Sequence, residues 1–194
     1  MYDERKSAAI DLAELCSLAR LPCGAVLEPG ESLAAPEGPV AGQTVGALLD
    51  RLLAAHPGYE AAMRGGVLSV RRKGGACAAA LERPTPAIRY PIRPARVAAL
   101  MVLRASGWPG PANRGLASLN GDREDARYQD VDVFVHKGAT VRDALDAIAL
   151  GDGRMLWIAE AGPKTCSAFR FSNWRKPQPL QGSSVMVSVS GKNP

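Results

Sequence analysis

Apolar residues recur along residues 45–53 at the spacing of a single helix face. The apolar positions are Val45, Leu48, Leu49, Leu52 and Leu53. They fall at i, i+3, i+4, i+7 and i+8, whereas Asp50 and Arg51 fall on the opposite side. Thr44 precedes the first of them and suits the N-cap, because its hydroxyl can accept a hydrogen bond from an amide of the first turn. The pattern predicts an amphipathic helix that packs on a core through its leucines.

The same pattern returns in the second half of the chain. The sequence Gly-Gln-Thr-Val-Gly-Ala-Leu-Leu-Asp at 42–50 aligns with Gly-Ala-Thr-Val-Arg-Asp-Ala-Leu-Asp at 138–146, with five of nine positions identical. Thr140 is again the predicted N-cap, and Asp143 stands where a capping box requires an acceptor. Gly42 and Gly138 allow a sharp turn into each helix. The pattern therefore predicts an internal duplication with Leu49 and Leu145 on equivalent buried faces.

Strand patterns flank both predicted helices. Val131, Val133 and Val135 alternate with more polar residues, which is the period of a half-buried strand. Segments 59–63 and 67–71 bracket Gly65-Gly66 as a hairpin, and segments 155–160 and 167–171 form a similar pair with a longer connection. We predict strands at 23–27 and 185–189 as well, and a weaker one at 39–41.

Each half also begins with a helical stripe. One stripe comprises Ala8, Leu12, Leu15 and Ala19; the other runs over residues 97–103 after Pro94, which suits a first helical turn. The predicted fold is α+β, with two tandem helix-on-sheet units ordered helix, strand, strand, helix, strand, strand. We place the units at 1–73 and 94–194, joined by a Gly-, Ala- and Pro-rich linker at 74–93, with a long loop at 107–127.

This order resembles the short N-terminal domain shared by secretins and TonB-dependent outer-membrane transducers. The first copy resembles it over residues 12–71 through Gly42, Thr44, Leu49 and Asp50, and the second over residues 131–171. No channel or barrel sequence follows within the chain. The resemblance implies the fold, a role in protein interaction in the bacterial cell envelope, and a periplasmic location. It does not imply transport or secretion.

Composition and charge exclude few classes of protein. Apolar residues make up 46% of the 194 residues, which is enough for a core, and no apolar run reaches the length of a membrane-spanning helix. The first twenty residues mix acidic and basic side chains in a pattern unlike that of a signal peptide. Buried free thiols are the simplest interpretation of the four cysteines, although Cys16 and Cys23 are close enough in sequence for a disulfide in an oxidising compartment.

Candidate chemistry is sparse, and we expect no enzyme, cofactor or metal. His56 and His136 are far apart and follow no nucleophile motif, and His56 suits the end of the first helix. Asp130, Asp132 and Asp143 could meet at one sheet end as a metal site, but solvated strand and cap positions explain them more simply.

A nucleic-acid surface is the alternative function. Residues 169–176 interleave aromatic and basic side chains, as base-stacking surfaces do, with Arg170, Trp174, Arg175 and Lys176 as the binding residues. Phe169 and Phe171 are two residues apart and would share one strand face, which favours a place in the core. We therefore expect a non-enzymatic protein-binding module that accepts a partner by strand addition at an open sheet edge.

Overall fold

A computed structural model describes residues 8–40, 42–108, 127–174 and 184–190, and it shows an α+β fold. The first elements are β1 (Ala8–Asp11), α1 (Leu12–Ala19), β2 (Cys23–Leu27), β3 (Ala34–Gly38), α2 (Val45–Ala55), β4 (Tyr59–Arg64) and β5 (Val67–Arg72). They are followed by α3 (Ala76–Leu81), β6 (Ile88–Pro94), α4 (Ala95–Ala105), β7 (Asp130–Val135), α5 (Val141–Asp152), β8 (Met155–Ala161), β9 (Cys166–Asn173) and β10 (Val185–Val189).

The largest sheet combines strands from both halves of the chain in the order β4-β5-β2-β8-β9. Strand β2 runs parallel to both β5 and β8, and the antiparallel pairs β4–β5 and β8–β9 lie on its two sides. All five residues of β2 are buried, as is typical of a strand covered on both faces. We had expected each predicted unit to build its own small sheet. The apolar sequence of β2 instead places that strand between the hairpins of the two halves.

Two smaller sheets complete the fold. Strands β1 and β3 form an antiparallel pair, and a three-stranded sheet has the order β10-β7-β6. In the latter, β10 runs parallel to β7, and β6 runs antiparallel to it. The C-terminal strand predicted at 185–189 is therefore present. The weak strand expected at 39–41 lies earlier in the chain, as β3, and Ala8 lies in β1 ahead of α1.

Two apolar cores lie on opposite faces of the five-stranded sheet. The α2-side core packs α1 and α2 on one face and includes Leu15, Leu52, Val70 and Leu156. The α5-side core packs α3, α4 and α5 on the other face and includes Leu103, Val131, Leu145, Ile148 and Trp157. Gly24 makes room for Trp157, because a Cβ on Gly24 would stand 2.4 Å from the indole ring. The buried indole thus lies directly against the backbone of β2.

The two predicted capped helices are present, but they differ in burial. The Thr44 hydroxyl accepts a hydrogen bond from the Ala47 amide at 3.2 Å. Thr140 forms the full capping box with Asp143. Gly42 and Gly138 adopt φ values of +76° and +90°, which explains glycine at both turns. Leu145 is fully buried, whereas Leu49 is only partly buried at the margin of the α2-side core.

The expected linker at 74–93 contains ordered secondary structure. It holds α3 and most of β6, and Cys77, Ala80 and Leu81 of α3 are buried. The cysteines are not free thiols, because Cys16 pairs with Cys23 and Cys77 pairs with Cys166. The second disulfide joins α3 to β9 within the α5-side core, so residues 74–93 include part of the packed fold. Residues 109–126 of the predicted loop at 107–127 lie outside the described residues.

Among the residues that the structure describes, no helix combines the length and apolar character needed to cross a bilayer.

Candidate functional site

The aromatic and basic strip predicted to bind nucleic acid is largely part of the fold. Phe169 and Phe171 pack against the α5-side core, and the Phe169 ring meets Trp108 edge-on with 5.0 Å between centroids. Trp174 packs against the α2-side core. The Arg170 side chain is half exposed, and its Nε lies 2.9 Å from a carboxylate oxygen of Glu160. Arg175 and Lys176 lie outside the described residues.

These contacts do not favour base stacking, because the aromatic rings that would carry it face the two cores. Phe169, Arg170, Phe171 and Trp174 each contact another part of the fold.

The two histidines and Asp143, which sequence reasoning considered for catalysis or metal binding, have local partners. His56 Nε2 lies 3.0 Å from the carbonyl oxygen of Ala34, and the ring of His136 meets Phe134 edge-on at 4.4 Å. Asp143 serves the capping box of α5. Across residues 8–40, 42–108, 127–174 and 184–190, no group of three or more His, Cys, Asp or Glu side chains could hold a metal ion.

Strand β4 forms one edge of the five-stranded sheet, and no described strand pairs with its outer side. Its register with β5 is regular over all six residues, from Tyr59 opposite Arg72 to Arg64 opposite Val67. The Lys73 amide donates to the Gly58 carbonyl at 2.9 Å and extends that register by one pair. Because hydrogen-bonded and non-bonded pairs alternate in an antiparallel ladder, the backbone groups of Ala61 and Met63 point outward. Tyr59 has the same orientation, but its amide donates to the His56 carbonyl, so β4 offers Ala61 and Met63 for pairing.

An ionic cluster fixes the β4–β5 hairpin to the helices of the second half. Its members are Arg64 of β4, Glu82 after α3, and Arg142, Asp143 and Asp146 of α5. One Glu82 oxygen lies 2.7 Å from Nε of Arg142 and 3.4 Å from Nη1 of Arg64. Nη2 of Arg64 is 4.0 Å from Asp143. Glu82 is thus shared by an arginine of each half.

Arg142 is fully buried, which is unusual for an arginine. Its Nη1 donates to the hydroxyl of buried Ser69 at 3.4 Å, and burial lowers the pKa of its guanidinium while Glu82 opposes that effect. A charge in this position is tolerated only when it is paired. Ser69 faces a cation here and not a base, so the contact gives it no activation as a nucleophile.

Asp146 lies one helical turn after Arg142, on the same face of α5. The indole N–H of Trp157 donates to its carboxylate at 2.9 Å. Burial is the main influence on this group and raises the pKa of Asp146 to about 6, although the Trp157 hydrogen bond and Arg142 act in the opposite direction. Asp50, the corresponding residue of the first helix, is exposed. The two repeat positions therefore have different roles.

A cavity of about 360 Å³ opens beside β4, on the face of the sheet that carries the ionic cluster. Ala62 and Ser69 form part of its floor, and Arg64, Arg71 and Glu82 stand around it. Arg71 also pairs with Glu60 across the two strands at 2.6 Å. The small side chain of Ala62 leaves this space open directly next to the unpaired edge.

Sequence reasoning missed the ionic cluster and the second disulfide. The available signal was the spacing of Arg142 and Asp146, which are four residues apart and so share the helix face that also carries Leu145 and Ile148. Charged side chains on a buried face indicate an internal polar cluster. The partners from β4 and α3 could not be found in this way, because they come from distant parts of the chain.

Comparison with known proteins gives no relative: no family model, no curated protein and no solved structure matches this chain.

Proposed function

We propose that this protein is a non-enzymatic interaction module that binds an extended segment of a partner protein by strand addition to β4. The observation that supports the proposal best is the outer side of β4, which is regular and has no described strand beside it. An added strand would hydrogen-bond to the outward backbone groups of Ala61 and Met63. Backbone pairing would supply affinity with little dependence on the partner's sequence.

Strand β4 suits this role better than the edges at β3, β6 and β9. Natural edges are commonly blocked by proline or by irregular pairing. Strand β6 contains Pro91 and Pro94 and has a register shift against β7. Strand β3 contains Pro36, and the β8–β9 pair has a shift at Glu160. Strand β4 has neither proline nor a shift in register.

The cavity beside β4 would supply selectivity. A partner residue placed opposite Ala62 would direct its side chain over the cavity, towards Arg64, Arg71 and Ser69. The ionic cluster holds Arg64 against α5 before any partner arrives, and this reduces the ordering cost of binding. The site is therefore suited to an extended peptide with a polar side chain at that position.

We place this activity in a bacterial cell envelope, as the resemblance to the secretin and TonB short N-terminal domain implies. The two disulfides support an oxidising compartment such as the periplasm, because structural disulfides seldom persist in a reducing cytosol. The partner would then be another envelope protein.

The test is a capture experiment from a bacterial envelope extract with the full chain and two Met63 variants. Met63→Pro removes the outward N–H of β4, and a proline on the outer side of an edge strand leaves the β4–β5 hydrogen bonds intact. Met63→Ser is the matched control, since it shortens the same side chain, which is 55% exposed, but keeps the N–H. We expect the wild type and Met63→Ser to capture a discrete protein, and Met63→Pro to capture about ten-fold less or lower.

Equal capture by folded Met63→Pro would contradict strand addition at β4. Half of each sample is treated with nuclease, since loss of the captured material on that treatment would favour the nucleic-acid function instead.

A further inference from the structure

The C-terminal strand β10 packs on a surface formed by β7 and α5, which we call its seat. It pairs in parallel with β7 over five residues, from Val185 opposite Val131 to Val189 opposite Val135, without a register shift. Val187 and Val189 are buried, whereas Met186 is 78% exposed. The strand thus contributes alternate valines to the α5-side core and shows its other face to solvent.

Gly151 of α5 shapes this seat for one valine. A Cβ added at Gly151 would stand 2.6 Å from Cγ2 of Val187, which real side chains do not tolerate, but 3.4 Å from Cγ1 of Val131, an ordinary contact. Glycine inside a helix lowers helix stability, so its presence here has a packing reason. The hole at Gly151 fits Val187 and makes the seat specific for this strand.

Strand β10 is held at this seat by β7 and α5. Among the described strands, β10 pairs with β7 alone. The disulfide Cys77–Cys166 ties β9 to α3 independently of β10. Residues 174–184 connect β9 to β10, and a chain of that length can span up to about 36 Å when extended.

We propose that this seat accepts the β10 strand of a second copy of the chain, so that two molecules associate by exchanging C-terminal strands. The occupant is chosen because the seat's fit to this strand is visible in the register with β7 and in the hole at Gly151. A terminal element that has such a seat is exchanged at low cost, since both copies regain the same contacts. In the wild type the molecule's own strand competes strongly, because it is present at high effective concentration. The inference goes beyond the proposed function and does not depend on β4.

Two full-length variants test the exchange by complementation. Val187→Asp keeps the seat but carries a strand that cannot enter it, because a charge would be buried among apolar groups. Gly151→Ala keeps a competent strand but fills the hole. We expect each variant to remain monomeric alone, and an equimolar mixture to form a 1:1 heterodimer with twice the mass of one chain by light scattering.

The controls separate this contact from others. Met186→Asp places the same charge on the exposed face of β10, so a mixture of it with Gly151→Ala is expected to stay monomeric. A mixture of Val187→Asp with the double variant Gly151→Ala/Val187→Asp contains no competent strand and is also expected to stay monomeric. A heterodimer in either control mixture, or none in the test mixture of two folded variants, would overturn the proposal.

A direct binding measurement covers the case in which Gly151→Ala does not fold. A fluorescent peptide of residues 184–190 then replaces that variant. We expect it to bind Val187→Asp about ten-fold tighter than the wild type, whose own strand fills the seat. Equal binding to the two chains would overturn the proposal.

Discussion

Asp146 and Asp50 have the same position in the repeated helix, yet only Asp146 is buried. Asp146 accepts a hydrogen bond from Trp157 and lies near Arg142, but burial outweighs the support that both give to its charged form. Burial raises its pKa to about 6, compared with 3.8 for an unperturbed aspartate. The folded protein therefore holds this proton more tightly than the unfolded chain does, and the ionised group lowers stability at neutral pH.

Asp146→Asn tests this effect through the dependence of stability on pH. The folded pKa is raised, so the stability that Asp146 contributes to the wild type is lost as the pH rises from about 4 through 6. The amide oxygen can still accept from Trp157, but the variant has no charge to bury. We expect the free energy of unfolding of the variant, relative to the wild type, to increase by about 2 kcal/mol between pH 4 and pH 7.

Urea denaturation at both pH values measures the difference. Asp50→Asn, at the exposed position of the repeat, is the control and is expected to follow the wild type. A parallel pH dependence of Asp146→Asn and the wild type would show that burial does not perturb this carboxyl group.

The two repeated helices differ in how much of their apolar face is buried. Helix α2 packs on α1, β3 and β4, and its margin residues Val45, Leu49 and Leu53 are only partly buried. Helix α5 contacts α4, three strands of its own half and also β2 and β5 of the first half. Its apolar face is therefore enclosed on several sides, and it forms the centre of the α5-side core.

Leu145→Ala and Leu49→Ala compare these helices at equivalent positions. Leu145 is fully buried, so its truncation leaves a cavity and is expected to cost about 2–5 kcal/mol. Leu49 lies at a margin that solvent reaches, and we expect a loss of about 1 kcal/mol. Denaturant midpoints measured for both variants check the difference, and similar losses would contradict the unequal burial of the two faces.

The whole molecule is held together by contacts that cross between the two halves of the chain. Strand β2 joins both hairpins into one sheet, Glu82 bridges Arg64 and Arg142, and the disulfide Cys77–Cys166 links α3 to β9. By contrast, Cys16–Cys23 joins α1 to the strand that immediately follows it. The two disulfides therefore constrain loops of very different length.

Removing each disulfide by paired Cys→Ala substitution is expected to destabilise the protein unequally. The sequence separation is 89 residues for Cys77–Cys166 and 7 for Cys16–Cys23. Loop-closure entropy then predicts losses of about 4–5 kcal/mol and about 2–3 kcal/mol, respectively. Thermal unfolding of the two paired variants gives the comparison. A larger loss on removal of Cys16–Cys23 would show that chain entropy does not govern these crosslinks.

Local features of the fold were predictable because each depends on residues near one another in sequence. The caps at Thr44 and Thr140, the glycine turns before them, the apolar face around Leu145 and the β4–β5 hairpin at Gly65-Gly66 are all present. Helix periodicity, capping and tight turns act over a few residues, so their signal survives in the sequence alone. The mixed α+β class follows from the same signals.

Only the tertiary structure decided which elements meet. Packing between distant segments places β2 between β5 and β8, and it forms α3 and β6 within residues 74–93. It also leaves Leu49 at the margin of its core while Leu145 is central. The burial of Arg142 and Asp146 and the pairing of Cys77 with Cys166 depend on it as well. Patterns in sequence report which face of an element is apolar. They do not report which other element covers it, because that choice is made by shape and contact across the folded chain.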